Sequence, residues 1–231
     1  MCSPIYAQTL RQTAAWAADL AAQGRLTESE ALPAQLLAFE YLSQLAGGQI
    51  SELEVRLQGE FAALPAQPLV VASLKGILST ALGDSINYVN AGLEAKERGI
   101  HVLEVKDESS RDFAGGSLQL SCRGSKGNHS VTGAVFADGE LRITTIDEFP
   151  VNVAPSRHML FTRHRDMPGI IGQLGSVLGE HNVNIASMQV GRRIVRGDAV
   201  MVLSLDDPIP ASLLATIHQI NGIQEAHPVT L

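Results

Sequence analysis

Cysteine is nearly absent. Cys2 and Cys122 are the only two in 231 residues, which excludes a disulfide framework and any four-cysteine iron–sulfur or zinc site held by this chain alone. A reducing cytoplasm is the expected location. Aromatic residues make up 4% of the chain, charged residues 18%, and no run of Lys or Arg occurs. With 24 acidic against 17 basic side chains and a net charge of −7, the overall field opposes a phosphate backbone, so nucleic acid is not an expected partner. The longest apolar stretches, Pro68 to Ala72 and Ala199 to Leu205, fall far short of the roughly 20 residues that cross a bilayer. No membrane span is expected. The first residues, Met1-Cys2-Ser3-Pro4-Ile5-Tyr6, lack the basic-then-apolar order of a secretory leader.

Catalytic motifs are missing as well. No Gly-x-Gly-x-x-Gly follows a strand pattern, no Walker loop occurs, and neither His-Glu-x-x-His nor Cys-x-x-Cys is present. The seven histidines show no metal-ligand spacing. No catalytic residue and no metal are therefore expected.

What is present is enough apolar sequence, 45%, for about two domains of ordinary size. Residues 1–47 read as a helical segment. Ser3-Pro4 opens a helix carrying Tyr6, Leu10, Ala14, Ala17 and Leu20 to Gly24, and Thr27-Glu28-Ser29-Glu30 is a capping box for a second that stops at Gly47-Gly48. From Ile50 the period becomes two: Leu53, Val55 and Leu57 alternate with Glu52, Glu54, Arg56 and Gln58, the pattern of a half-buried strand. Leu69 to Leu82 and Asn90 to Arg98 read as helices, and Leu118, Leu120 and Cys122 as a strand. Val131 to Phe136, Asp138-Gly139 and Leu141 to Ile146 read as a hairpin. Residues 48–153 thus form a mixed α/β domain, closed by the connector Val153-Ala154-Pro155-Ser156.

Residues 157–231 repeat a different order. The strand Met159 to His164, helix Pro168 to His181, strands Val183 to Val190 and Ala199 to Leu205, helix Ala211 to Ile220 and strand Ile223 to Val229 make a ferredoxin-like βαββαβ unit. Gly169, Gly172, Gly175 and Gly179 recur every three to four residues, which lines them along one helix as a close-packing face and not as a dinucleotide turn. The most informative stretch is the polar turn His164-Arg165-Asp166-Met167-Pro168-Gly169. A helix opening at Pro168 aims unpaired N–H groups at a carboxylate, Asp166 can neutralise an ammonium, and the amide of Asn184 adds a donor and an acceptor if its strand is adjacent. A zwitterionic amino acid satisfies all three. The plainer alternative makes Asp166 a helix cap and Asn184 a strand start.

His164 to Gly172 followed by Asn184-Ile185-Ala186-Ser187-Met188-Gln189-Val190-Gly191 resembles the ACT regulatory domain at the C-terminus of D-3-phosphoglycerate dehydrogenases. Leu74-Lys75-Gly76, Asn87-Tyr88-Val89-Asn90-Ala91 and Ala95-Lys96-Glu97-Arg98-Gly99-Ile100 resemble the allosteric substrate-binding domain that precedes ACT in the longer forms of those enzymes. The resemblance covers roughly residues 36–231. It implies an α+β chain with a mixed α/β allosteric substrate-binding domain followed by an ACT domain, joined into homo-oligomers through ACT. It further implies L-serine, or a similar amino acid, held between two ACT domains by His164, Asp166, Gly169 and Asn184, with Gly172 at the interface. Arg142, Lys96 and Arg98 are the implied candidates for an anionic effector of the middle domain.

The same resemblance marks a departure. The glycine-rich NAD loop and the Arg, Glu and His catalytic set of the family are not in this sequence, so hydride transfer is not expected from this chain, and NAD would belong to a separate catalytic dehydrogenase domain acting as partner. Two rival readings remain at this point. One is the beta subunit of an iron–sulfur L-serine dehydratase, whose glycine-serine-rich N-terminal signature is missing here; the other is a free-standing ACT sensor of another amino acid.

Overall fold

A computed structural model of the chain describes residues 50–63, 65–109, 116–125, 127–136 and 141–230. The expected N-terminal helices, with Trp16, and the Asp138-Gly139 turn lie outside the described residues. Contacts divide the chain into two compact units, one ending at Leu141 and the other beginning at Arg142. Among the described residues no helix is long and apolar enough to cross a membrane.

The first unit opens with β1 (Ile50–Gln58). Leu53, Val55 and Leu57 are fully buried while their neighbours stay partly exposed, as the period of two requires. A 3-10 turn (Gly59–Ala63) leads into α1 (Ala66–Leu82), and a second such turn (Gly83–Ser85) precedes α2 (Ala91–Glu97). α1 begins three residues before the expected Leu69, because Pro68 falls in the first turn, where a missing N–H costs nothing. β2 (His101–Asp107), β3 (Ser117–Gly124) and β4 (Gly127–Val135) follow. The strand order in this unit is β2-β1-β3-β4. β2 runs parallel to β1 and β3 antiparallel to it, with Leu53 opposite Cys122, Val55 opposite Leu120 and Leu57 opposite Leu118. A parallel pair needs a long crossover, which α1 and α2 supply.

The second unit begins one residue into β5 (Leu141–Ile146), which pairs with β6 (Phe149–Val153) as an antiparallel hairpin. Its two-residue turn, Asp147-Glu148, has φ of 46° and 72°, the left-handed pair that matches strand twist in tight hairpins. β7 (His158–Arg165), α3 (Ile170–Glu180), β8 (Ile185–Arg192), β9 (Asp198–Leu205), α4 (Ala211–Ile217) and β10 (Ile223–Thr230) complete it. The sheet order β10-β7-β9-β8, all antiparallel, is the expected ferredoxin-like arrangement. Leu160, Met201, Leu203 and Leu205 of the sheet pack against Ile170, Leu174 and Leu178 of α3 and Leu213 and Ile217 of α4. Burying this apolar surface is the main stabilising term for the unit.

Phe161, Val200 and Val202, which alternate with those core residues along their strands, are buried too. β6 approaches from that side: a Cβ built at Gly191 of β8 would press into the Pro150 carbonyl oxygen and lie 3.0 Å from Val151 Cγ1. The Arg163 guanidinium sits over the Phe149 ring, 5.9 Å from its centroid. Gly191 therefore lacks a side chain because a neighbouring backbone occupies the space.

Candidate functional site

α3 opens two residues later than expected. Gly169, not Pro168, is the residue that precedes the helix, and its φ of 90° belongs to the left-handed region that only glycine adopts freely. The turn from His164 to Gly169 therefore ends in a reversal that no other residue type accommodates without strain. It is anchored at three points: the Arg165 N–H donates to the Gly222 carbonyl at 2.8 Å, the Asp166 N–H to the Gly197 carbonyl at 2.8 Å, and the Gln173 N–H to the Gly169 carbonyl at 2.9 Å.

His164 is 1% exposed, and its Nδ1 is buried with no hydrogen-bond partner. Burial pushes its pKa below the ordinary 6.5, with the Asp166 charge working in the opposite direction. The ring is thus neutral at pH 7. Asp166 is not an open carboxylate. Its Oδ2 accepts from the Arg196 backbone N–H at 3.0 Å and from the Arg192 guanidinium at 2.8 Å. The amide of Arg196 first, then the Arg192 side chain, holds its carboxyl below the usual 3.8. The sequence expectation gave Asp166 to a ligand ammonium; the structure gives both of these contacts to the tip of the β8–β9 hairpin.

Asn184 is elsewhere. β7 and β8 are not neighbours, since β9 runs between them. Arg165, beside the turn, faces Asp198 at one end of β9, whereas Ile185, beside Asn184, faces Leu205 at the other. Seven steps along β9 separate those ends, about 23 Å at roughly 3.3 Å per residue. The expectation that Asn184 reaches the turn held only for adjacent strands, and within one chain it does not reach. Asn184 instead donates from Nδ2 to Asp206 Oδ2 at 2.6 Å, and the Asp206 N–H donates to the Asn184 carbonyl at 3.2 Å.

The expected close-packing face of α3 also has no partner among the described residues: a Cβ added at Gly172, Gly175 or Gly179 meets nothing within 4 Å. Beside it, Ile171 is 45% exposed, and Met188 and Val190 of the sheet-edge strand β8 are 37% exposed each.

Of the anionic-effector candidates, Lys96 and Arg98 lie exposed at the end of α2, with Arg98 in a 3.7 Å ion pair with Glu94. Arg142 is half-buried in β5 of the second unit. The cation that sequence reasoning passed over is Lys75, buried within α1 with its ammonium 5.0 Å from the Tyr88 ring centroid. A lone Lys inside the apolar run Leu69 to Leu82 was the available signal. Asn87 and Asn90, also in the quoted motifs, act locally. Asn87 Oδ1 accepts from the Val89 and Asn90 N–H groups, and Asn90 Oδ1 from the Asn87 N–H at 2.7 Å. Together they form the turn that starts α2. No group of three or more metal-ligating side chains occurs among the described residues.

Residues 32–147 match the model of the D-3-phosphoglycerate dehydrogenase intervening domain, and residues 158–222 match that of the ACT domain. The chain belongs to the D-3-phosphoglycerate dehydrogenase family. It is 61% identical over 191 residues to the D-3-phosphoglycerate dehydrogenase of Synechocystis, an overlap that takes in 82% of this chain and 34% of that protein. The enzymes of the same name from Methanocaldococcus jannaschii and Bacillus subtilis are each 33% identical, over 81% and 71% of this chain and 35% and 31% of theirs. The chain thus spans about a third of the length of the curated relatives it matches, and the matched part is the family's intervening and ACT domains.

The relatives are dehydrogenases by name, and the one described turn placed like a dinucleotide turn lacks its glycine spacing. The strand–turn–helix unit with a parallel partner is β1, α1 and β2, and its turn reads Gly59-Glu60-Phe61-Ala62-Ala63, without the glycine spacing that lets a pyrophosphate approach. That turn is also crowded, because a Cβ at Gly116 would lie 2.8 Å from both the Gln58 carbonyl oxygen and the Phe61 nitrogen.

Proposed function

We propose that this chain is the L-serine-sensing regulatory portion of a D-3-phosphoglycerate dehydrogenase, and that serine binds between two ACT domains. The observation that carries this reading is the separation of Asn184 from the His164–Gly169 turn. The two lie at opposite ends of one sheet, so a single chain cannot close both on a small amino acid. A second copy related by a two-fold axis and running antiparallel along β8 would bring the Asn184 end of one domain beside the His164–Gly169 turn of the other. Three features favour that pairing: β8 is a sheet edge, its Met188 and Val190 side chains are exposed, and the glycine face of α3 beside it is open. The first N–H groups of α3 suit the serine carboxylate. Serine then favours the paired state, and linkage passes that preference to an attached or docked NAD-dependent catalytic domain.

The test is calorimetric titration of the purified chain with L-serine, using D-serine, glycine and L-alanine as controls, beside light scattering at micromolar concentration. Saturable, stereoselective binding by a dimer or larger oligomer, lost in Asn184→Ala, is the expected outcome. A strict monomer with and without serine refutes the shared site. Stronger binding of a control amino acid would make the chain an ACT sensor of that ligand instead. The family match speaks against the iron–sulfur dehydratase reading.

A further inference from the structure

The β8–β9 hairpin is held at its tip from two directions. From one side Asp166 takes the Arg192 guanidinium and the Arg196 N–H, and its own N–H reaches the Gly197 carbonyl. Arg196 can offer that N–H because it sits at φ 63°, a left-handed conformation closed by the Gly197 N–H donating to the Ile194 carbonyl at 3.0 Å. From the other side Arg193, the residue after Arg192, forms an ion pair with Glu148. Glu148 is half of the Asp147-Glu148 turn, where it occupies a left-handed backbone region that favours glycine, asparagine and aspartate. A turn of that composition needs outside contacts to keep its shape. One arginine pair, Arg192-Arg193, thus links the ligand turn to a strained hairpin whose β6 strand already lies against β8 at Gly191.

We infer that the β8–β9 hairpin tip is a coupling latch: it transmits the state of the Asp166 carboxylate, through Arg192 and Arg193, to the Glu148 turn between β5 and β6. The geometry leaves Asp166 two uses. While it holds the hairpin, Arg193 is kept in place to clamp Glu148. When a ligand bearing an ammonium shares the charge of the same carboxylate, the Arg192 and Arg196 contacts on Oδ2 weaken, the hairpin tip loosens, and the clamp on the Glu148 turn weakens with it. The latch is a property of this chain's own contacts. Its use by an amino acid rests on the serine reading above.

Hydrogen exchange on the full chain, read by mass spectrometry without any ligand, tests the latch separately from the sensor. In Asp166→Asn, and independently in Arg192→Gln, amide exchange should rise several-fold in residues 192–197 and by about twofold or more in residues 147–151. Unchanged protection in β10 (Ile223–Thr230) would show that each variant is folded. Faster exchange at 192–197 with wild-type rates at 147–151 in both variants overturns the inference. Glu148→Gln should speed exchange at 147–151 and at the hairpin tip while leaving α4 unaffected; no change at the tip would equally refute a two-way link. If the wild-type chain then fails to bind L-serine, the sensor reading falls and the latch stands.

Discussion

Substituting Gly175 by alanine should move folding and assembly in opposite directions. Gly175 lies in the middle of α3, where an added Cβ meets nothing within 4 Å. Inside a helix, glycine is about 0.8–1.0 kcal/mol less favourable than alanine, because its backbone surrenders more freedom on folding. With no clash to offset the gain, the isolated fold should be stabilised by about that amount, which raises Tm by roughly 2–4 °C in a chain of this size. The measurement is thermal unfolding at submicromolar concentration, where association contributes least. A second copy packed on the glycine face would meet the new methyl group at the place where backbones approach closest. Light scattering at micromolar concentration should then show weaker association, and calorimetry weaker serine binding, in the same variant that melts at higher temperature. Lower thermal stability in dilute solution would refute the open face, since it would mean that the methyl group strikes this chain itself. Higher stability with unchanged association and serine affinity would instead show that copies pair through some other surface.

Two further outcomes follow from local packing and burial. Gly191→Ala drives a methyl group into the Pro150 carbonyl and against Val151 Cγ1, so it should destabilise by about 1–3 kcal/mol in urea unfolding, and a change under about 0.5 kcal/mol would show that β6 shifts freely. His164 is kept neutral by burial, so its folded pKa lies below the 6.5 of the unfolded chain; the associated stability is complete above pH 6.5 and is lost as pH falls through the folded value. Stability measured between pH 7.5 and 5 should decline less in His164→Phe than in the wild type, and parallel curves would remove His164 as the source.

The ferredoxin-like order of the second unit was legible because each element announces itself by period. Met159-Leu160-Phe161 opens one strand, Ala199 to Leu205 is a largely apolar run of strand length, and Ile170, Leu174 and Leu178 recur at helical spacing. β2 and β6 were not legible. In β2, Val102 and Leu103 are adjacent and Val105 follows Glu104, which breaks the alternation; the strand is an exposed edge with little apolar surface to hide. In β6, Pro150 removes a backbone donor in a run of five, and proline argues against a strand unless that donor faces away from the ladder. Asp147-Glu148 contributed to the omission, because Glu148 stands where the usual Asp-Gly hairpin turn has glycine.

Where the candidate residues lie in the sheet was less legible than their chemistry. Residue type singled out Asp166 and Asn184, whose chemistry suits a zwitterion, and the family resemblance added His164 and Gly169. Spacing along the chain said nothing about which end of the sheet each one occupies. A strand–helix–strand passage carries the chain back to the end where the first strand began, so the residue closing the first strand and the residue opening the second lie at opposite ends whenever the intervening helix spans the sheet. α3, with 11 residues, rises about 16 Å at 1.5 Å per residue, and with its flanking turns it covers most of the length of β9. That geometry rules out a one-chain site built from Asp166 and Asn184, and it also frees Asp166 for the hairpin contact that the structure shows. Both hairpin contacts fall on Asp166 Oδ2, so the carboxylate expected to be a ligand's counter-charge is the group that holds the β8–β9 tip in place.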